Sequence, residues 1–116
     1  MLQLNIIRAA RVKIRIDGLL RGEDGDDVPY ALTLDCKRLD TDGLSKLLAA
    51  DKTDAATQAI APKLESIIDG WQGVVDDDGK PVAYTPEGMA ALLRVPGMAA
   101  QVMLAYLDQV QAKAKN

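Results

Sequence analysis

At 116 residues, with a net charge of −3 and a pI near 4.8, the chain is sized for one domain and has the wrong charge balance for nucleic acid or anionic membranes, whose recognition rests on basic patches. Apolar residues make up 48%, yet phenylalanine and histidine are absent, so the core must be aliphatic and imidazole chemistry is excluded. Asp supplies 14 of the 17 acids, and because Asp favours caps and turns over helix interiors, most of the negative charge reads as punctuation between elements.

In chain order, Leu2, Leu4, Ile6 and Ile7 suit a short strand or a packing arm. From Arg11 to Asp17, Val12, Ile14 and Ile16 alternate with Arg11, Lys13 and Arg15, the pattern of a strand with one wet face. The basic row reads as a solvated, aggregation-resistant face. Glu23 to Asp27 is a polar loop, after which Tyr30, Leu32, Leu34 and Cys36 alternate, predicting a hairpin with Pro29 at the strand's edge. Cys36 falls on the apolar face and reads as a small buried hydrophobe.

Thr41 is placed to cap a short helix carrying Leu44, Leu47 and Leu48 and ending around Asp51 to Asp54. A second helical pattern follows through Ala56, Ile60, Leu64, Ile67 and Ile68, with a kink or break expected at Pro62. Gly70 is expected to close it in the αL conformation, just before Trp71. Asp76 to Gly79 then forms a turn signal, since Asp bonds its own backbone and Gly supplies a positive φ.

Thr85-Pro86-Glu87 reads as a helix start, with Thr85 the N-cap and Pro86 at the first helical position. Gly88 rules out a full capping box. Met89, Leu92 and Leu93 keep helical spacing until Val95-Pro96-Gly97 stops them. In the last helix Met98, Val102, Ala105, Tyr106 and Val110 trace one face, and Met103 and Leu107 widen it beyond what a helix packed on one side requires. Lys113 and Lys115 suit its C-terminal end.

Little chemistry is on offer. An EF-hand reading of the Asp76 loop puts Val74 and Thr85 where a carboxylate and a bidentate Glu are required. Cys36 lacks a partner base and a second cysteine, and no phosphate loop, dinucleotide fingerprint or serine elbow is present. No metal or other cofactor is expected, and no enzymatic activity. Without a signal-like leader or a span-length apolar run, the expected location is a reducing cytoplasm. The expected fold is α+β and mostly helical: one domain, 1–116, with an N-terminal antiparallel hairpin over 1–38. Four to five short helices follow over 39–116, with the Asp-rich loop at 75–85.

One stretch carries a resemblance. Trp71, Gly73, Val74, Asp76, Asp78, Gly79, Pro81, Val82, Tyr84, Pro86, Glu87, Leu92, Leu93, Pro96, Ala105 and Tyr106 form a pattern that resembles the tail assembly chaperones of long-tailed phages and prophages. Tyr84, where the pattern has phenylalanine, and Gly88 depart from it. The resemblance implies a protein that binds the tape measure protein, keeps it soluble and helps recruit tail tube subunits, indirectly or through a frameshifted longer form, and that is absent from the mature virion. A permanent minor structural subunit of the tail is the alternative. A homo-oligomer without nucleic-acid or membrane partners is expected. The candidate partner-binding residues are Trp71, Leu92, Met103, Leu104, Tyr106 and Leu107, although a lone tryptophan and a methionine set also serve as core.

Overall fold

A computed structural model of the chain describes residues 3–48 and 60–112. After a single helical turn, α1 (Leu4–Ile7), two long strands β1 (Arg11–Arg21) and β2 (Asp27–Lys37) form the hairpin. Helices α2 (Thr41–Leu48) and α3 (Ile60–Ile67) lead into strand β3 (Ile68–Gln72), and α4 (Pro86–Leu93) and α5 (Met98–Val110) complete the fold. The sheet is antiparallel in the order β1-β2-β3.

The fold is α+β, but a mostly helical chain with its strands confined to a two-stranded hairpin does not hold. A third strand, drawn from the region read as helical, joins the hairpin beside β2, and about four helices follow the hairpin among the described residues. Ile68 lies four residues after Leu64, so it continues the helical stripe on paper, and a short apolar run cannot separate helix from strand by period alone. In the structure α3 stops at Ile67 and Ile68 enters the sheet opposite Cys36. Gly70 is therefore not a helix terminator. It lies mid-strand opposite Asp35, whose carboxylate would be 2.9 Å from any Cβ there.

Other boundaries shift for local reasons. Asp40, not Thr41, caps α2: its Oδ1 accepts the Gly43 N–H at 2.7 Å. Pro62 sits in the first turn of α3, where its missing N–H has no helical partner to lose. Ala56, the stretch Asp51 to Asp54, and the terminal Lys113 and Lys115 lie outside the described residues. Both hairpin strands run to eleven residues, longer than the alternation suggests.

Ile14, Ile16, Leu32, Leu34, Cys36 and Ile68 make the sheet's buried face. Against it pack Leu64 and Ile67 of α3, Met89 and Leu93 of α4, and Met98, Val102, Met103, Tyr106 and Val110 of α5. Helix α5 touches both β1 and α3 and also meets α4. Being covered from two directions, it uses most of the wide stripe that its sequence displays.

Candidate functional site

The Trp71-to-Tyr106 stretch folds into a corner joining β3 to α4. Asp76 Oδ1 accepts the N–H groups of Asp78 at 2.9 Å and Lys80 at 3.0 Å, Gly79 takes φ +79, and Val75 bridges Pro81. The closed turn delivers Val82, whose carbonyl accepts the Trp71 Nε1–H at 2.8 Å. Tyr84 meets Trp71 edge to face, with ring centroids 5.3 Å apart, and its hydroxyl donates to the Ile68 carbonyl at 3.1 Å. Thr85 accepts the Gly88 N–H at 3.0 Å, as an N-cap should.

Gly88 is the residue that lets this corner close. A Cβ there would stand 2.7 Å from the tip of the Trp71 ring and 3.0 Å from the Thr85 hydroxyl. The departure that denies α4 a capping box thus makes room for the indole.

The six candidate partner-binding residues do not share one face. Tyr106 is fully buried; its hydroxyl donates to the Lys37 carbonyl at 2.7 Å and accepts the Leu39 N–H at 3.1 Å. Burial raises its pKa above the usual tyrosine value, against a lowering by that Leu39 bond. Met103 is buried, and Trp71, Leu92 and Leu107 are half-buried. Leu104 alone of the six is open to solvent, at 67% exposure, one helical turn before Leu107.

The basic row of β1 is matched by acids rather than presented as a cationic patch. Arg11 pairs with Asp69, Lys13 with Asp35 at 2.9 Å, Arg15 with Asp17 at 3.4 Å and Arg21 with Asp27 at 3.5 Å. On the opposite face Cys36 is buried, and burial, reinforced by Asp69 and Asp35, pushes its thiol up to about 12. A thiol held protonated in this way is a poor nucleophile. Among the described residues no three His, Cys, Asp or Glu side chains converge on a metal-sized site, and no single helix is long and apolar enough to cross a membrane.

One concavity, about 530 Å³, is an open groove lined by Arg38, Leu39, Asp40, Thr41 and Leu44 at the β2–α2 corner and by the end of α5. It brings together one acid and one arginine. Its lining is more polar than apolar and open to solvent, whereas a small-molecule site is a mostly apolar cleft that encloses its ligand.

The feature missed in the sequence is the hairpin's far end. Leu19, Leu20 and Val28 are strand residues with exposures of 61%, 39% and 52%. The signal was present as an apolar Leu19-Leu20 pair flanked by Gly18 and Arg21, but it falls outside the clear alternation ending at Asp17.

A model of the YdaY prophage protein family matches residues 37–116, which include the tryptophan corner and α5 and leave most of the hairpin outside. No curated protein and no solved structure matches the chain. The family match covers well over half of the sequence, and the chain belongs to the YdaY prophage protein family.

Proposed function

We propose that this prophage protein is a tail assembly chaperone, which binds the tape measure protein, keeps it soluble, helps recruit tail tube subunits and leaves before the particle is complete. The observation that carries the reading is the Trp71-to-Tyr106 pattern, with its turn, N-cap and helix stop in the order that the chaperone resemblance requires. Two physical features support it. The outer side of α5 keeps Leu104 exposed next to half-buried Leu107, an apolar strip suited to helix-against-helix contact of modest affinity. Trp71 and Tyr106 brace that helix and its approach rather than touching the partner.

The test is co-expression with the tape measure protein encoded alongside, followed by light scattering of the soluble fraction. A soluble complex that Leu104→Asp abolishes, while the variant stays folded, is expected. A tape measure protein that precipitates regardless overturns the reading. So does mass spectrometry that finds this chain in finished virions, which moves it to a permanent tail subunit.

A further inference from the structure

Strand β1 is an edge of the sheet, and its free side is capped at one place. Gln109 of α5 reaches round the edge so that its Oε1 accepts the Arg15 N–H at 2.8 Å and its Nε2 donates to the Arg15 carbonyl at 2.7 Å. The side-chain amide stands in for one residue of a neighbouring strand. It also fixes which backbone groups face outward. Arg15 points both its groups away from β2, so by the antiparallel alternation Asp17, Leu19 and Arg21 do the same. The bonds from Arg38 N–H to Ala10 and from Gly22 N–H to Asp26 place the even-numbered positions towards β2. No such cap covers Asp17 or Leu19 among the described residues, and the strand there is regular and solvent-exposed.

We propose that this free edge, Asp17 to Arg21, pairs antiparallel with the same edge of a second copy, with Leu19 on the two-fold axis, to make a continuous six-stranded sheet. The proposal goes beyond the chaperone reading and does not rest on it.

The register follows from charge. Outward-facing residues must meet outward-facing residues, so odd positions pair with odd positions. With Leu19 opposite Leu19, Asp17 faces Arg21 of the second copy, and each acid gains a base on both sides of the two-fold. Moving the axis to Gly18 sets Arg15 against Arg21 and leaves Asp17 opposite Leu19. Moving it to Leu20 sets Asp17 against Glu23, and moving it to Asp17 sets two aspartates together. Like charges directly opposite destabilise a ladder, and opposite ones stabilise it. One register alone is complementary.

Shape agrees with charge. In that register Leu20 of the second copy lies across from Gly18, on the face that also carries Tyr30. Gly18 has no room for a side chain because the Tyr30 ring lies over it, with its hydroxyl against the place a Cβ would take. The bare strand and the ring beside it form a shallow seat for an incoming leucine, and the two-fold makes the contact twice. Gln109 limits the ladder at Arg15, so the strand pairing is short and the association is of the weak, concentration-dependent kind.

The experiment uses the whole chain alone. Sedimentation from about 1 to about 500 µM, a range chosen to span weak association, is expected to show a shift from 12.4 kDa to twice that mass. Leu19→Lys, which brings two lysines together at the axis, is expected to weaken it about tenfold or more. Under mild oxidation Leu19→Cys is expected to cross-link two chains, since residues facing each other in a hydrogen-bonded pair have Cα atoms about 5.5 Å apart, within disulfide reach. The control is Leu104→Cys, similarly exposed but on α5 rather than on the strand. A chain that stays monomeric over the whole range overturns the proposal. A dimer that survives Leu19→Lys, with Leu19→Cys cross-linking no faster than Leu104→Cys, overturns it as well.

Discussion

At the root of the β1–β2 ribbon, Ile14, Ile16, Leu32 and Leu34 are buried beneath the helices, while a few residues along the same ladder and on the same face Leu20 and Val28 are 39% and 52% exposed. Apolar residues stand on this face in both regions, although the clear alternation of β1 ends at Asp17. What differs is the layer beneath: Met98 and Gln101, at the start of α5, meet the hydroxyl of Tyr30, and beyond Tyr30 no helix among the described residues buries Leu20 or Val28. Alternation therefore specifies a strand and its faces, and the neighbouring element decides which part of a face becomes core.

The comparison predicts its largest effect at the root. Leu34→Ala removes a fully buried side chain between sheet and helices and is expected to lower stability by about 3 kcal/mol, within the range for leucine truncation in a core. Urea denaturation at pH 7 measures it. A loss below about 1 kcal/mol would mean that the root is no better packed than the tip.

Tyr106→Phe tests how α5 is fixed over the root. The hydroxyl serves a carbonyl and an N–H at the β2–α2 corner, and removing it leaves both part-buried groups without that partner, for an expected loss of about 1–2 kcal/mol. Near-UV circular dichroism should keep its native shape, since the ring still fills its place. A variant as stable as the parent would show that packing alone holds the helix.

The buried thiol at the root makes stability depend on pH. Cys36 at the root keeps its proton up to about 12 when folded, against an ordinary thiol value of 9.0. Above pH 9 the unfolded chain releases a proton that the folded chain retains, so stability falls as pH rises, by at most about 1.4 kcal/mol per pH unit from this group. Below pH 9 the contribution is fully present. The parent should therefore lose stability faster between pH 9 and 10.5 than Cys36→Ala. Parallel slopes would place the thiol in contact with water.

The turn at Asp76 to Gly79 and the Thr85-Pro86 cap were legible in the sequence because their chemistry is local: each residue bonds a neighbour within four positions. Strand β3 was not, since a Gly-Trp pair following an apolar helix reads equally as a helix end, and only the packing of Ile68 against Cys36 separates the two. Tyr106 and Leu104 lie on one helix two residues apart, and their opposite burial depends on where α3 and the sheet sit around α5. Periodicity could widen the stripe but could not say how much of it stays uncovered. The edge of β1 was harder still, because it is defined by backbone groups, and the Gln109 that caps Arg15 is 94 residues away in sequence.

The smallest expected effect is at the tip, and it separates two kinds of stability. In dilute solution Leu20→Ala should change unfolding by no more than about 0.5 kcal/mol, because the residue already faces water and leaves no cavity. If Leu20 reaches across a two-fold to the seat beside Tyr30, the same substitution must act where copies meet. The parent then gains stability with protein concentration by mass action, and Leu20→Ala gains less. Comparing the two at low and high concentration thus reads the tip as a surface between molecules and the root as a surface within one. Equal behaviour of the two chains at every concentration would leave Leu20 an ordinary exposed leucine and confine the meaning of the ribbon to its buried half.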